Sequence, residues 1–255
     1  MGPFEESLYR VLVWTGFAGA ALVFVLLCFV TAPYGRYARQ GWGLRINSTI
    51  GWVLMELPAV LVFGACFMRQ GGPDNATPWV FLILWEIHYV HRTFIFPLRM
   101  RSSGKTTPVA VVAMAMGFNT YNGYLNGRYL NVFGNAYPTS WLVDPRFLAG
   151  LTLFLFGLIM NVRADQRLRA LRRPAEDTYR IPEGGLFRWV SCPNYLGEIV
   201  EWAGWALATS SMAGLVFALW TAANLVPRAL AHHKWYLEHF AGYPPERKAL
   251  VPYLF

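Results

Sequence analysis

The chain has 255 residues, of which 55% are hydrophobic and only 14% are charged, and its net charge is +8. The charged share is well below the roughly 25% usual in soluble domains. Apolar runs that reach the ~20 residues of a membrane helix recur along the whole chain. These features exclude a soluble globular protein and predict an all-α integral membrane protein.

Seven candidate membrane spans follow one another, at residues 8–32, 50–68, 78–98, 108–126, 146–162, 195–210 and 212–230. The fourth and sixth spans include or adjoin polar stretches, NTYNGYLNGRY and SCPNYLGE. Such stretches are tolerated at membrane depth where they are buried in protein or line a wet cavity. Because no internal repeat or low-complexity tract interrupts the pattern, we expect one membrane domain over 1–255, folded as a seven-transmembrane-helix bundle.

Basic residues alternate between the two sides of this bundle. They are frequent after the first, third, fifth and seventh spans and sparse elsewhere; the richest connection holds Arg163, Arg167, Arg169, Arg172, Arg173 and Arg180. Cytoplasmic loops of membrane proteins carry the excess of Lys and Arg. The pattern therefore predicts an N-terminus outside and a cytoplasmic C-terminus. The same pattern explains most of the positive net charge as the excess of basic residues on the cytoplasmic side, so no nucleic-acid partner is expected.

Four acidic residues fall within the apolar segments, and each costs a few kcal/mol unless it is paired or solvated. They are Glu56, Glu86, Glu198 and Glu201. Glu56 either pairs with a cation on another helix or acts at a ligand, and the second interpretation is favoured. Glu86 and Tyr89 are three residues apart and share a helix face. A pair of histidines nearby, His88 and His91, has no clear third ligand, so no metal is predicted.

The basic segment after the fifth span interleaves arginines with Asn161, Asp165 and Tyr179. Contact with anionic lipid headgroups accounts for the arginines, but the other side chains provide directional hydrogen bonds. Arginine also suits phosphate groups. Since no GxGxxG motif is present, any nucleotide would occupy a helical site of another kind.

A second stripe places Arg228, His232 and Tyr236 four residues apart on one helix face. Two interpretations of this stripe stay open. Packing with lipid contact is the commoner explanation of such a pattern, and a basic, aromatic binding surface is the alternative.

Several motifs, in order, resemble signatures of the membrane steroid 5α-reductases: HYVHRTF, DTYRIPEGGLFRWVSCPNYLGEIVEWAGWALAT, ALAHHKWY and YPPERKALVPYLF. The C-terminal half also resembles a wider superfamily of sterol reductases, enoyl reductases and isoprenylcysteine methyltransferases. In the N-terminal half, MELPAV and HYVHRTF narrow the resemblance to the 5α-reductase type. The sequence departs from the 5α-reductase pattern at two places. Met55 stands where the animal enzymes have glutamine, and the stretch CPNY is closer to the PxYxGE pattern of the wider superfamily.

The resemblance implies a seven-helix bundle that holds NADPH among its later helices, at about 146–255, and opens to the cytoplasm. The implied reaction is hydride transfer from NADPH to C5 of a 3-oxo-Δ4 steroid, which gives the 5α-reduced ketone. Glu56 and Tyr89 match the pair that grips the 3-keto oxygen, and Met55 lies beside them in the substrate site. The positions that match the cofactor site are Asn161, Asp165, Arg172, Tyr179, Arg180, Asn194, Glu198, Arg228, His232 and Tyr236.

The expected partners are a steroid or sterol-like lipid substrate and the surrounding membrane lipids. No obligate protein partner is evident from the sequence, and a monomer is compatible with it. We expect a multi-pass protein of the bacterial inner membrane or of the endoplasmic reticulum. Three alternatives remain: a reductase of another enone or enoyl lipid, such as a polyprenol or an enoyl thioester; an S-adenosylmethionine-dependent methyltransferase; and a proton-coupled transporter or lipid-binding receptor.

Overall fold

Seven helices of fifteen residues or more make up most of the chain that the structure describes. This computed structural model describes residues 2–33, 35–37, 39, 41–69, 74–100, 104–133, 137–171 and 179–255. The helices are α1 (Pro3–Phe29), α2 (Ser48–Met68), α3 (Ala76–Val90), α4 (Val109–Arg128), α5 (Pro145–Ala170), α6 (Pro193–Thr209) and α7 (Met212–His239). A π-helical turn (His91–Ile95) and a short α-helical turn (Phe96–Leu98) prolong α3.

Each predicted span overlaps one of these helices, and a helical, multi-pass membrane protein is confirmed. Four helices, α1, α2, α5 and α7, are long and apolar enough to cross a membrane by length and composition. Helices α3 and α6 have 15 and 17 residues, and α4 carries the polar stretch noted above. The count of seven crossings and the orientation of the bundle stay predictions.

A short two-stranded sheet is the departure from an all-α fold in the described ranges. Strand β1 (Arg45–Asn47) pairs antiparallel with β2 (Thr106–Pro108), and Ile46 lies opposite Thr107. Each strand leads directly into a helix, β1 into α2 and β2 into α4. The pairing therefore sets the starting points of α2 and α4 side by side.

The chain divides into two compact units. The first comprises Met1–Thr15, Ala32–Leu148 and Thr209–Gly214, and the second comprises Gly16–Thr31, Ala149–Ala208 and Leu215–Phe255. The single membrane domain expected over 1–255 stays a prediction.

In the first unit, α2 and α4 approach closely at two glycines of α4. A Cβ atom added to Gly127 would lie 2.8 Å from the carbonyl oxygen of Phe63, and one added to Gly123 would lie 3.2 Å from the Phe63 nitrogen. Small residues of this kind let helix backbones pack together in membranes. The close approach brings side chains on the same part of α4 within reach of the α2 backbone.

In the second unit, α5 and α6 meet through four glycines in two reciprocal pairs. A Cβ on Gly157 would lie 2.5 Å from the Gly197 oxygen, and a Cβ on Gly204 would lie 2.6 Å from the Gly150 oxygen. At these distances any side chain larger than hydrogen collides with backbone. The glycine contacts therefore hold the polar end of α5 directly against the first turns of α6.

The C-terminal segment folds back onto the stretch that precedes α6. Ser191 N donates to Lys248 O at 2.8 Å, and Lys248 N donates to Trp189 O at 2.9 Å. The Ser191 hydroxyl is hydrogen-bonded to His233 Nδ1 and to the Tyr243 hydroxyl, both at 2.6 Å. Burial raises the pKa of Tyr243, although Ser191 and Arg247 oppose the shift. These hydrogen bonds tie the C-terminal segment to the stretch that precedes α6.

Candidate active site

Two predicted site residues of the first unit, Glu56 on α2 and Tyr89 on α3, are contacted by asparagines of α4. Asn119 Nδ2 donates to Glu56 Oε2 at 3.4 Å, and Asn122 Nδ2 donates to the Tyr89 hydroxyl at 3.3 Å. Asn119 and Asn122 are three residues apart, so their side chains are neighbours on one face of the helix. The structure thus brings Glu56 and Tyr89 to the same face of α4. We call these four residues the carboxylate–phenol cluster.

Packing holds the Tyr89 ring in place. Tyr89 is only 3% exposed, and its ring lies 4.8 Å from that of Trp85 and 5.0 Å from that of His88. Trp85 is anchored in turn, because its indole Nε1 donates to the Ala59 oxygen of α2 at 3.0 Å. The phenol oxygen is therefore the polar end of a rigid aromatic stack. A rigidly held phenol is suited to hydrogen-bonding a ligand carbonyl.

Met55 contributes its backbone to this cluster. Its carbonyl oxygen accepts a hydrogen bond from Asn119 Nδ2 at 2.7 Å. The same asparagine thus contacts both Met55 and Glu56, two neighbours on α2. The role of Met55 at the substrate stays a prediction.

In the second unit, a set of amides and carboxylates lies between α5 and α6. Asn161 Nδ2 donates to the backbone carbonyl oxygen of Asn194 at 2.9 Å and to Glu198 Oε2 at 3.3 Å. Asn194 Nδ2 donates to Asp165 Oδ1 at 3.1 Å. Four predicted cofactor-site residues are therefore joined by direct hydrogen bonds across the glycine-mediated helix contact. We call them the amide–carboxylate cluster.

A tyrosine that sequence reasoning missed joins two further predicted residues. Arg228 Nε donates to the Tyr195 hydroxyl at 3.0 Å, and this hydroxyl is also hydrogen-bonded to His232 Nε2 at 3.1 Å. Tyr195 directly follows Asn194, so the first turn of α6 contributes both to the amide–carboxylate cluster and to the contacts with Arg228 and His232. The polar stretch SCPNYLGE was the sequence signal that could have identified it.

The other predicted cofactor-site residues have different surroundings. Tyr179 is 39% exposed, and its ring lies 5.1 Å from that of Trp235. Tyr236 is buried and stacks on Tyr243, with ring centres 5.1 Å apart. Arg180 is exposed. Arg172 lies outside the described residues. Within the described part of the chain, no group of three or more His, Cys, Asp or Glu residues is placed to hold a metal ion.

The fold and these clusters define a helical membrane protein with buried, hydrogen-bonded polar sites. Residues 105–255 match the sequence model of the family described as 3-oxo-5-alpha-steroid 4-dehydrogenase. The chain is 42% identical to Steroid 5-alpha-reductase DET2 of Gossypium hirsutum, over 98% of this chain and 99% of that protein. It is 41% identical to 3-oxo-5-alpha-steroid 4-dehydrogenase 1 of Bos taurus, over 98% of each chain. It is 40% identical to the protein of the same name from Homo sapiens, over 100% of this chain and 98% of that protein.

The chain therefore belongs to the 3-oxo-5-alpha-steroid 4-dehydrogenase family. The family predicted from the sequence motifs is confirmed, and with it the prediction of an oxidoreductase.

Proposed function

We propose that this chain reduces the Δ4,5 double bond of a 3-oxo-Δ4 steroid, with NADPH as reductant and hydride transfer to C5, and that the product is the 5α-3-oxosteroid. Relatives named for this reaction match the chain over nearly its whole length. The observation that carries the proposal is the carboxylate–phenol cluster, in which Glu56 and Tyr89 are held on one face of α4. These two residues are the proposed catalytic pair, and Met55 is a proposed substrate contact.

The chemistry explains why an enone reductase needs such a pair. Adding a hydride to the β-carbon of an enone moves negative charge onto the carbonyl oxygen. A hydrogen-bond donor that is already in place stabilises this charge, most effectively where water is excluded. Tyr89 donates its phenol proton to the 3-keto oxygen. Glu56, with its carboxyl group protonated, donates a second hydrogen bond to the same oxygen, and the proton that reaches C4 comes from solvent.

The donor set of the second unit fits NADPH. Arg228 presents a planar guanidinium, which suits a phosphate, and His232 adds a second nitrogen beside it. The amides of Asn161 and Asn194 and the carboxylates of Asp165 and Glu198 suit ribose hydroxyls and a carboxamide. NADPH, when bound, supplies the hydride. The proposed cofactor-binding residues are Asn161, Asp165, Arg172, Tyr179, Arg180, Asn194, Glu198, Arg228, His232 and Tyr236.

The proposal includes the topology. All seven helices cross the membrane in a single domain, the N-terminus lies outside, and the C-terminus with the end of α5 lies in the cytoplasm. The arginines that follow the apolar part of α5 support this orientation. The host membrane is the bacterial inner membrane or the endoplasmic reticulum, and a steroid-sized apolar ligand enters from the lipid.

Tyr195→Phe is expected to weaken NADPH binding about tenfold, equivalent to about 1.4 kcal/mol. The substitution removes the hydroxyl that orients Arg228 and His232 but keeps the ring. The measurement is the NADPH dissociation constant of the purified protein. Tyr121→Phe is the matched control, since it removes a hydroxyl that donates to the Leu12 oxygen at 2.7 Å in the first unit. Equal dissociation constants in both variants would contradict the role of Tyr195.

A substrate panel tests the function itself. NADPH oxidation is followed with a 3-oxo-Δ4 steroid, a polyprenol-derived enone and an enoyl thioester. We expect oxidation that depends on the steroid. Oxidation with only one of the other two substrates indicates the alternative reductase. Stabilisation by S-adenosylmethionine and not by NADPH, in thermal unfolding, indicates a methyltransferase, and a transporter or receptor predicts no NADPH binding.

A further inference from the structure

Three asparagines lie on one face of α4, at spacings of three and four residues. Asn119, Asn122 and Asn126 are 7%, 2% and 2% exposed. We call them the asparagine ladder. A buried amide is costly unless its donors and its acceptor are hydrogen-bonded. Three of them on one helix face therefore need partners on that face.

The direction of each hydrogen bond in the ladder follows from its neighbours. A backbone carbonyl oxygen can only accept, and Asn126 Nδ2 lies 3.1 Å from the Asn122 carbonyl oxygen. The NH2 group of Asn126 therefore faces Asn122. The same NH2 group lies 2.9 Å from Asn122 Oδ1, so Oδ1 accepts. The NH2 group of Asn122 is then the end that faces the Tyr89 hydroxyl.

This direction determines how Tyr89 uses its proton. The phenol oxygen accepts a hydrogen bond from Asn122, so the phenol proton points away from Asn122. If the Asn122 amide were reversed, its oxygen would accept the phenol proton and hold it. The backbone carbonyl of Asn122 orients the Asn126 amide, and the Asn126 amide in turn orients the side chain of Asn122. In this orientation Asn122 does not accept the Tyr89 proton, which is therefore directed toward a third group.

Asn119 is oriented in the same way. Its NH2 group lies 2.7 Å from the Met55 carbonyl oxygen, which can only accept. The same NH2 group therefore donates to Glu56 Oε2. One face of α4 therefore supplies an oriented NH2 donor to Glu56 and another to Tyr89.

We propose that the asparagine ladder is a positioning device for the reaction: Asn122, oriented by Asn126, directs the Tyr89 proton toward the substrate carbonyl, and Asn119 holds the Glu56 carboxyl group. The proposal rests on the proposed function, because it needs Tyr89 as the donor to the 3-keto oxygen. Donors fixed before reaction do not have to reorganise as charge develops, and such preorganisation is a large part of electrostatic catalysis.

Asn122→Ala and Asn122→Asp test the proposal, with Asn131→Ala as the matched control. The Asn131 amide also donates to α2, to the Cys66 and Phe67 oxygens at 3.1 and 2.8 Å, and not to the catalytic pair. We expect Asn122→Ala to lower kcat at least about tenfold, on the scale of a lost oriented hydrogen bond. The control should stay within about twofold, and NADPH affinity should be unchanged in all three variants.

The pH dependence of Asn122→Asp separates positioning from packing. An ionised aspartate accepts the Tyr89 proton, whereas a protonated aspartic acid donates to the phenol oxygen as the asparagine does. The kcat of Asn122→Asp, relative to that of the wild-type protein, should therefore fall as the pH rises. Because aspartate has nearly the shape of asparagine, this variant decides the question even if Asn122→Ala fails to fold.

Two results overturn the proposal. A kcat of Asn122→Ala equal to that of Asn131→Ala, together with a wild-type pH profile for Asn122→Asp, removes the ladder from the mechanism. If Tyr89→Phe is inactive in the same series, the proposed function stands and only the ladder is rejected. Wild-type kcat in Tyr89→Phe rejects the assignment of Tyr89, and the role of the ladder with it.

Discussion

Tyr89→Phe is expected to lower kcat for steroid reduction by well over tenfold, on the order of the 10²–10³ measured when one oxyanion donor is removed. The variant lacks the phenol proton that stabilises charge on the 3-keto oxygen. It keeps the ring, which packs against Trp85 and His88, so the helix arrangement should persist. The described residues proposed for NADPH lie in the second unit, so NADPH binding should persist as well.

Glu56→Gln and Tyr9→Phe complete this test. Glu56→Gln replaces the carboxyl O–H of the second member of the pair with a weaker amide donor and should also cost well over tenfold in kcat. Tyr9→Phe is the control for loss of a buried hydroxyl, since the Tyr9 hydroxyl donates to the backbone oxygen of Leu125 at 3.0 Å. Single-turnover reduction of a 3-oxo-Δ4 steroid measures the chemical step. Unchanged reduction in both Tyr89→Phe and Glu56→Gln would contradict the assignment of the catalytic pair.

Gly157→Ala is expected to have the largest effect on folding. Its Cβ atom would lie 2.4 Å from the Glu201 nitrogen and 2.5 Å from the Gly197 oxygen. Both are backbone atoms in a helix, so neither can move without separating α5 from α6. The loss of stability should therefore exceed the ~1–3 kcal/mol typical of an overpacked core. The amide–carboxylate cluster lies across the same contact, so NADPH binding should be lost with the fold.

Gly117→Ala is the matched control for this substitution. Gly117 lies within α4, and apart from the adjoining backbone of its own helix no described heavy atom comes within 4 Å of a Cβ added there. Alanine is favoured over glycine inside helices by about 0.5–1 kcal/mol, so this variant should be as stable as the wild-type protein or slightly more so. Thermal unfolding in detergent compares the two variants. Equal unfolding midpoints would contradict the close α5–α6 contact.

Hydropathy predicted where the helices lie better than where they end. The apolar part of α5 was expected to finish at 162, but the helix continues to Ala170. Arg163, Gln166, Arg167 and Arg169 are good helix formers, so the chain stays helical after it ceases to be apolar. Hydropathy reports which residues prefer lipid, and it does not report helix termination. For the same reason α7 extends from its apolar part to His239.

The site was predicted in part because charge inside an apolar span is conspicuous. Glu56 was a candidate on that ground alone, and the resemblance then paired it with Tyr89. The asparagines of α4 were not singled out, because a neutral amide gives a weak signal in a charge or hydropathy scan. Their partners are also remote in sequence, as Asn122 and Tyr89 are 33 residues apart. Such contacts depend on helix packing, which a single sequence does not specify.

Packing also separated residues that periodicity grouped together. Arg228, His232 and Tyr236 share a helical stripe, and the structure joins the first two through Tyr195. Tyr236 instead stacks on Tyr243 from the C-terminal segment. Periodicity describes one helix at a time, so it cannot show which other segment covers each part of the face.

The product formed with deuterium-labelled NADPH reports directly on hydride transfer to C5 of the steroid. Purified protein is incubated with a 3-oxo-Δ4 steroid and NADPH in which both hydrogens at C4 of the nicotinamide are deuterium, and the product is analysed by NMR. We expect a 5α-3-oxosteroid with deuterium at C5, and a C4 proton taken from solvent. A 5β product, deuterium at another carbon, or no reduction of the steroid would contradict this expectation.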